Sequence, residues 1–209
     1  MTAHPITSVV FDLGGVLVDC NPNYLYRKLI PDEKERQHFR AHVCTRQWHH
    51  SHDLGVSFVD NAQLLLKNYP NDPRMQSLIK AWGNRYGEMF SGPIDKTVDI
   101  LTELHKAGMP LYALTNWSAD DFPVARKRFP FFSLFKDIVV SGIERVTKPD
   151  RKIYEILLER TKIDPRSAVF IDDREDSLAP AAALGFTTLL FTTPEKLRND
   201  LINLNLPLA

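Results

Sequence analysis

Five short apolar runs, rich in β-branched residues, recur along the chain and predict five β-strands. They span residues 8–13, 110–115, 137–141, 168–171 and 187–191. A continuous apolar run of this length is typical of a strand that is buried on both faces, as in a parallel sheet covered by helices. The pattern therefore favours a parallel sheet at the centre of the fold.

Segments with helical spacing separate these runs. Apolar positions predict helices over residues 94–107, 152–161 and 177–184, and a glycine follows the first and the third of them, Gly108 and Gly185. Glycine commonly ends a helix because it adopts the left-handed backbone conformation without strain. The β-α-β-α-β order predicts an α/β fold with a doubly wound parallel sheet.

The long segment between the first strand and the 94–107 helix shows helical rather than strand periodicity. Its apolar and aromatic positions recur at helical intervals, as in Phe58, Ala62, Leu65 and Leu66, and then Leu78, Trp82, Tyr86 and Phe90. We predict an α-helical cap at residues 20–92, inserted into an α/β core formed by residues 1–19 and 93–209. Turn-forming clusters at residues 21–23 and 91–93 are its predicted linkers.

Composition and charge exclude several classes of protein. The 209 residues are 44% hydrophobic, and 26 basic side chains balance 26 acidic ones. We therefore expect a globular protein without a basic field for nucleic acid or an anionic membrane. No apolar run approaches the roughly 20 residues that span a bilayer, and the N-terminus lacks a signal-peptide pattern, so we expect a cytoplasmic protein. Cys20 and Cys44 are interpreted as reduced thiols, because two isolated cysteines form no disulfide framework.

Polar residues that follow the strands are the candidates for chemistry, because ligands bind beyond the carboxyl ends of the strands in a doubly wound sheet. Four strands are followed by such residues: Asp12 with Gly14 and Gly15, Thr115 with Asn116, Lys148, and the pair Asp172 and Asp173. Two adjacent carboxylates are costly to bury unless a cation pairs with them. The pair therefore favours a divalent metal.

Each of these motifs alone also has an ordinary structural explanation. Asp12 can cap a turn, Lys148 can be a solvated surface charge, and the acidic pair can cap the helix that follows it. A functional site is favoured by the joint occurrence of all four motifs, each at the end of a strand.

The four segments resemble the ordered motifs of the haloacid dehalogenase (HAD) superfamily. The motifs are Asp-Leu-Gly-Gly-Val-Leu from Asp12, Leu-Thr-Asn ending at Asn116, Lys-Pro-Asp from Lys148 with Tyr154 downstream, and Phe-Ile-Asp-Asp ending at Asp173. The resemblance spans nearly the whole chain and implies a Rossmann-like core. It is to subfamily I, whose α-helical cap is inserted between motifs one and two, in agreement with the insertion predicted above.

This resemblance implies a role for each motif. Asp12 is the nucleophile, which forms an aspartyl-phosphate that water then hydrolyses. Thr115 and Asn116 hold the phosphoryl oxygens, and Lys148 neutralises the charge that develops in the transition state.

The resemblance also implies Mg²⁺ as the cofactor. Its ligands are a carboxylate oxygen of Asp12, the backbone carbonyl of Gly14 and a carboxylate of Asp173. Asp172 is then a weaker or more distant ligand. Asp176, or the serine that follows it, is a candidate for contacting water on the metal.

The chain departs from the family pattern two residues after Asp12. Phosphatases of the family carry a second aspartate there, which protonates the leaving group and then activates water, whereas this chain has Gly14. General acid–base catalysis contributes about 10² to 10⁴ in rate. Three outcomes follow: a cap residue substitutes, the substrate has a good leaving group, or catalysis is weak. The candidate substitutes are Asp19 and the His-His-Ser-His-Asp segment at residues 49–53. We interpret its histidines as a solvated helix end or cap loop rather than a metal site.

These residues predict a Mg²⁺-dependent phosphatase that acts on a small phosphorylated metabolite, such as a sugar phosphate. Two alternatives stay open. A 2-haloacid dehalogenase would use the same Asp12 without a metal, although the acidic pair at 172 and 173 suits a metal-free site poorly. A catalytically weak phosphate-binding or regulatory protein would keep Thr115 and Lys148. Neither the physiological substrate nor the oligomeric state follows from the sequence.

Overall fold

The structure, a computed structural model, describes residues 5–208, so residues 1–4 and 209 of the predicted core lie outside it. The strands are β1 (Ser8–Phe11), β2 (Val18–Cys20), β3 (Phe90–Pro93), β4 (Leu111–Thr115), β5 (Asp137–Val140), β6 (Ala168–Asp172) and β7 (Thr187–Leu190). The helices are α1 (Asn23–Leu29), α2 (Glu33–His42), α3 (Arg46–Asp53), α4 (Phe58–Leu66), α5 (Pro73–Asn84), α6 (Asp95–Lys106), α7 (Phe122–Arg128), α8 (Ser141–Glu144), α9 (Arg151–Thr161), α10 (Glu175–Ala183) and α11 (Pro194–Asn203).

Five of the strands form one parallel sheet in the order β5-β4-β1-β6-β7. These are the five strands that the apolar runs predict, and the α/β fold with a doubly wound parallel sheet is confirmed. The chain winds outward on one side of β1 and then crosses to β6 on the other side. The carboxyl ends of β1 and β6 therefore flank the switch point at which such sheets bind ligands.

Both faces of the sheet are covered by apolar side chains, which explains the lack of polar alternation in the strands. Val9 and Phe11 belong to one buried cluster, whereas Val10 belongs to a second one on the opposite face. The three predicted core helices are α6, α9 and α10, and α6 ends before Gly108, whose φ is +79°. The apolar pattern of the sequence did not predict α7 or α11.

Five helices, α1 to α5, lie between β2 and β3, as the helical periodicity of this segment predicts. The two short strands pair antiparallel and join this helical segment to the rest of the chain. Residues 91–93 were expected to form a turn, but they belong to β3, because their backbone pairs with β2. The division into a cap at 20–92 and a core stays a prediction.

Contacts between distant parts of the chain hold the helical segment against the sheet. The Phe90 and Trp117 rings stack with centroids 5.2 Å apart, and Arg128 donates a hydrogen bond of 3.0 Å to the Phe90 carbonyl. The backbone N–H of Phe58 donates to the Asp120 carboxylate at 2.7 Å. Within residues 5–208, no helix combines the length and apolar character that a membrane crossing requires.

Candidate active site

The polar residues that follow β1, β4 and β6 meet at the carboxyl edge of the sheet. Phe11 pairs with Ile171 in the parallel register, and the Asp12 N–H donates to the Ile171 carbonyl at 2.8 Å. Asp12 and Asp172 are therefore neighbours across two adjacent strands. Both side chains are buried, with 6% of Asp12 and none of Asp172 exposed.

Lys148 joins these two carboxylates. Its ammonium nitrogen lies 3.0 Å from Asp12 Oδ1 and 2.6 Å from Asp172 Oδ2. The Asn116 side chain fixes the lysine backbone, since its Oδ1 accepts from the Lys148 N–H at 2.8 Å and its Nδ2 donates to the Lys148 carbonyl at 3.0 Å. The predicted phosphoryl contact of Asn116 would therefore fall to its backbone N–H rather than to its amide group.

Burial controls the ionisation of this cluster. Desolvation raises the pKa of Asp12, and Lys148 opposes that effect only in part. Desolvation and the nearby Asp12 raise the pKa of Asp172 to about 6. Burial alone would lower the pKa of Lys148, but the two carboxylates outweigh it and raise that pKa. The lysine therefore stays charged, and the raised pKa values of Asp12 and Asp172 indicate that its single positive charge does not fully compensate these carboxylates.

A third carboxylate completes a candidate metal site. One oxygen each from Asp12, Asp172 and Asp173 lie within 4.8 Å of one another. Asp172 uses its oxygens for Lys148 and for the Arg174 N–H, which donates at 2.9 Å. Asp173 is exposed at the cavity, so it and Asp12 are the carboxylates available to a cation. The donor set fits Mg²⁺, which binds through one or two carboxylates together with water and phosphate oxygens.

The glycine loop after β1 packs closely against this site. Gly15 has a φ of +79°, and a Cβ built on it would lie 2.5 Å from Asp173 Oδ2. Only glycine satisfies both constraints. Gly14 has open space around its Cα, with no heavy atom within 4 Å of an added Cβ. The two glycines of the motif therefore have different structural roles.

Other predicted site residues have varied surroundings. Thr115 is fully buried at the end of β4, and its hydroxyl has no hydrogen-bond partner among the described residues. Asp176 is exposed and pairs with Arg174 rather than with the carboxylate cluster. The Tyr154 hydroxyl donates to the Ser177 carbonyl at 2.6 Å. The proposed contact of Asp176 with metal-bound water stays a prediction.

A cavity of about 730 Å³ opens above the cluster. Its floor includes Asp12, Asn116, Lys148 and Asp173. Its opposite wall comes from the helical segment and comprises Cys20, Arg46, Gln47, His49, His50 and Asp53. Arg46 and Gln47 were not among the predicted site residues. No local motif marks them, because they reach the cavity only through the packing of α3 over the sheet edge.

The candidate replacements for the acid that is missing at Gly14 fall into two groups, because some of them line the cavity and others do not. Asp19 does not line the cavity, and it accepts hydrogen bonds from Tyr24 at 2.6 Å and from Ser91 at 2.5 Å. His52 is fully buried, with its ring nitrogens near the Val56 carbonyl and the Asn61 amide at 3.3 Å and 3.2 Å. These two residues therefore stabilise the helical segment. The expectation of a solvated helix end or cap loop is wrong for His52, because its ring is buried between Val56 and Asn61.

Of the candidates that do line the cavity, two have strongly shifted pKa values. Burial, together with nearby His52 and Arg40, lowers the pKa of His49 to about 3. Burial and the charge of Asp12 raise the pKa of Asp53 to about 7, although Lys148 opposes the shift. Among the described residues, the histidines form no metal-ligand cluster.

The two cysteines are neutral thiols. Both Cys20 and Cys44 are free, as expected for reduced thiols. Desolvation raises the pKa of the buried Cys44 thiol to about 12. Cys20 is an exposed residue at the cavity, where desolvation of its thiol and the charges of nearby Asp121, Asp19 and Asp53 raise the pKa to about 12. Both thiols therefore stay protonated near neutral pH.

A buried lysine between carboxylates at the switch point of a parallel sheet, under a helical segment inserted after the first strand, defines a class of capped α/β enzymes. Within this class, a sequence model of the haloacid dehalogenase-like hydrolases matches residues 6–185. The chain belongs to that family, and its predicted membership is confirmed. The inserted helices are consistent with subfamily I.

Two similar proteins are named as phosphatases. The chain is 31% identical over 193 residues to the sesquiterpene phosphatase AstK of Aspergillus oryzae, an alignment that covers 88% of this chain and 89% of the relative. It is 24% identical over 176 residues to the pyrophosphatase PpaX of Bacillus velezensis, covering 83% and 77%.

Solved structures share the fold at low sequence identity. A HAD-like hydrolase from Porphyromonas gingivalis superposes with a TM-score of 0.72 at 19% identity, covering 96% of this chain and 98% of that one. A HAD enzyme from Bacteroides thetaiotaomicron, solved with magnesium and inorganic phosphate, gives 0.66 at 18%, covering 90% and 94%. The L-2-haloacid dehalogenase of Xanthobacter autotrophicus gives 0.65 at 18%, covering 95% and 83%.

Proposed function

We propose that this hydrolase is a Mg²⁺-dependent phosphatase that acts on a small phosphorylated metabolite through an aspartyl-phosphate on Asp12. The observation that carries the proposal is the charge of the cluster. One oxygen each from Asp12, Asp172 and Asp173 lie within 4.8 Å of one another, and Lys148 forms ion pairs with Asp12 and Asp172. A divalent cation would compensate the remaining charge, whereas a metal-free dehalogenase site would leave it unbalanced.

Mg²⁺ would be held by Asp12 and Asp173, with the Gly14 carbonyl as the further predicted ligand. When bound, the ion neutralises the phosphoryl group and orients it for in-line displacement. The close packing of Gly15 on Asp173 supports this assignment, because it fixes the carboxylate beside the motif that carries the nucleophile.

Side chains of the protein would carry out the other parts of the reaction. The free oxygen of Asp12 attacks phosphorus, while its other oxygen already accepts from the Leu13 N–H at 2.7 Å. Lys148 neutralises charge on the nucleophile and on the transferred group, at a buried position where such charge pairs act strongly. Thr115 has a buried hydroxyl without a partner among the described residues, which suits a donor to a phosphoryl oxygen.

The cavity wall supports a polar metabolite as the substrate. This wall carries groups that hydrogen-bond to hydroxyl and phosphate oxygens, on Arg46, Gln47, His49 and His50. A sugar phosphate carries both hydroxyl groups and a phosphate group. A terpenyl phosphate belongs in the same screen, because one relative is named a sesquiterpene phosphatase.

The proposal is tested with 4-nitrophenyl phosphate, whose good leaving group makes little demand on an acid catalyst. Hydrolysis is measured with Mg²⁺, with a chelator, and with Asp12→Asn in place of wild type. The exposed Asp99→Asn on α6 is the matched control for loss of a carboxylate. We expect turnover that requires Mg²⁺ and falls at least about 10³-fold in Asp12→Asn, as for removal of a nucleophile.

Absence of turnover by the wild type with Mg²⁺ would contradict the proposal. Chloride release from 2-haloacids that depends on Asp12 but not on a metal would then identify a dehalogenase. Binding of inorganic phosphate without either reaction would identify a phosphate-binding protein.

A further inference from the structure

The chain lacks a carboxyl group at the position where phosphatases of its family have their acid. Gly14 stands there, and the space around it is empty to at least 4 Å from an added Cβ. An ester with a poor leaving group still requires a proton on the departing oxygen, and water must lose a proton to attack the phosphoenzyme. If the chain is a phosphatase, as proposed above, and acts on such an ester, a residue other than Gly14 has to supply the proton to the departing oxygen.

Asp53 is placed to face it. It is the last residue of α3, is only 9% exposed, and lines the cavity that also contains Asp12 and Lys148. No hydrogen bond or ion pair engages its carboxyl group among residues 5–208. A buried carboxyl group without a partner is costly in a protein that gains nothing from it. Its position opposite the nucleophile therefore requires an explanation.

We propose that Asp53 is the general acid and base of this enzyme, supplied by the helical segment in place of the residue missing at Gly14. In the first step, an Asp12 oxygen bonds to phosphorus, the bond from phosphorus to the ester oxygen breaks, and the Asp53 proton passes to that oxygen. The alcohol then leaves.

The second step restores both aspartates. Asp53, now a carboxylate, takes a proton from a water molecule whose oxygen attacks phosphorus. The bond from phosphorus to Asp12 breaks, which releases inorganic phosphate and the Asp12 carboxylate, and Asp53 is again protonated. No other reactant is needed.

The surroundings of Asp53 suit a group that both gives and takes a proton near neutral pH. Burial and the negative charge of Asp12 raise its pKa to about 7, and Lys148 acts in the opposite direction. Cys20 and Tyr86 are also within electrostatic range, and desolvation together with nearby carboxylates keeps both of them protonated. A catalytic acid works best when its pKa is close to the working pH.

The test compares phenyl phosphate with 4-nitrophenyl phosphate, which differ in leaving group and little in shape. Single-turnover rates with Mg²⁺ and excess enzyme isolate the first step. In Asp53→Asn, we expect the rate with phenyl phosphate to fall about 10²-fold, and that with 4-nitrophenyl phosphate to fall by less than about 5-fold. Intact-mass analysis in the steady state should show that the phosphoenzyme accumulates, because its hydrolysis has lost its base.

Two further variants complete the design. Asp53→Ala is a second acid-free form, and thermal melting establishes that each variant is folded. Glu159→Gln, an exposed carboxylate on α9, controls for the change of charge and should behave as the wild type.

The outcomes separate the two proposals. Suppose that the wild type turns over, and that the ratio of its phenyl phosphate rate to its 4-nitrophenyl phosphate rate is unchanged in Asp53→Asn and Asp53→Ala. This result would overturn the role of Asp53 but not the phosphatase function. An equal loss with both substrates, without accumulation of phosphoenzyme, would do the same. No Mg²⁺-dependent turnover by the wild type would remove the phosphatase function, and with it the role of Asp53.

Discussion

At the scale of single residues, neighbouring positions of one motif obey different constraints. Gly14 tolerates a side chain in space, whereas Gly15 combines a positive φ with contact to Asp173. Asp172 and Asp173 differ in the same way, since one is fully buried against Lys148 and the other is exposed at the cavity. Two residues of the same type in one motif can therefore have different roles.

Gly15→Ala is expected to weaken Mg²⁺ binding by about 10-fold or more, because the new methyl group would displace the Asp173 carboxylate. Isothermal titration with Mg²⁺ measures the affinity. Gly108→Ala is the matched control, since Gly108 has the same φ of +79° but no neighbour within 4 Å of an added Cβ. Both variants carry a backbone penalty of about 1–2 kcal/mol, whereas only Gly15→Ala should lose metal affinity. Equal affinities in the two variants would contradict this account.

Asp53 should also make stability depend on pH. Its folded pKa of about 7 exceeds the ordinary value of 3.8, so the folded state holds the extra proton between these values. The free energy of unfolding must then fall as pH rises from about 4 to about 7, by up to roughly 4 kcal/mol. Asp53→Asn removes this dependence and should be the more stable protein above pH 7.

Urea unfolding of wild type and Asp53→Asn between pH 5 and 8, with chelator present, measures this difference. The charges that act on Asp53, those of Asp12 and Lys148, are present in both proteins. Glu159→Gln again controls for the lost charge. A difference in unfolding free energy that does not grow with pH would show that Asp53 is not held protonated by the fold.

At the scale of elements, the position of α3 decides which side chains of the helical segment reach the cavity above Asp12. The Thr45 hydroxyl caps the start of this helix by accepting from the Trp48 N–H at 3.0 Å, and the helix ends at Asp53. The Phe58 ring of α4 contacts His52 and Tyr86 at centroid distances of 4.7 Å and 4.9 Å. Aromatic packing therefore fixes the end of α3 over the sheet.

Gly83→Ala should disturb this packing and destabilise the protein. A Cβ at Gly83 in α5 would lie 2.7 Å from the Cβ of Phe58. Alanine favours a helix by about 1 kcal/mol over glycine, but overpacking costs about 1–3 kcal/mol, so a net loss is expected. Urea unfolding measures it, with Gly87→Ala as the control, since the nearest atom there is an Arg128 nitrogen at 3.7 Å. A Gly83→Ala protein at least as stable as the wild type would refute this packing argument.

At the scale of the whole molecule, one buried apolar cluster extends from the sheet into the helical segment. Val9 of β1, Trp117 after β4 and Trp82 of α5 all belong to it. The polar site lies between these parts, where charged groups are partly shielded from water. Such shielding strengthens the pairing of Lys148 with its carboxylates and makes an uncompensated charge costly. A cation that compensates this charge should therefore stabilise the whole fold.

Mg²⁺ at about 100 times its dissociation constant should stabilise the folded protein by about 2.7 kcal/mol, because only the folded chain assembles the carboxylates. Differential scanning calorimetry with and without Mg²⁺ measures the rise in melting temperature. We expect Asp173→Asn to abolish most of the rise, whereas Asp99→Asn should retain it. The same rise in Asp173→Asn as in wild type would place the ion elsewhere.

The sequence alone determined the central sheet and the family. A strand that is buried on both faces, such as β1 or β6, is a continuous apolar run, and such a run can be recognised from the local sequence. All five strands of the sheet were therefore predicted within a few residues. The order of motifs from Asp12 to Asp173 then indicated a capped HAD hydrolase. The short pair β2–β3 was missed, because three- and four-residue strands depend on a partner distant in the chain.

Only the tertiary structure decided which residues of the helical segment line the cavity above Asp12. Asp19 and Asp53 were equal candidates in the sequence, yet one accepts hydrogen bonds from Tyr24 and Ser91 and the other lines the cavity. The contact of Asn116 was also decided by the tertiary structure, because its amide oxygen accepts a hydrogen bond from the backbone of Lys148, 32 residues further along the chain. Which groups meet depends on the packing of whole elements, and no local pattern of residues encodes that packing.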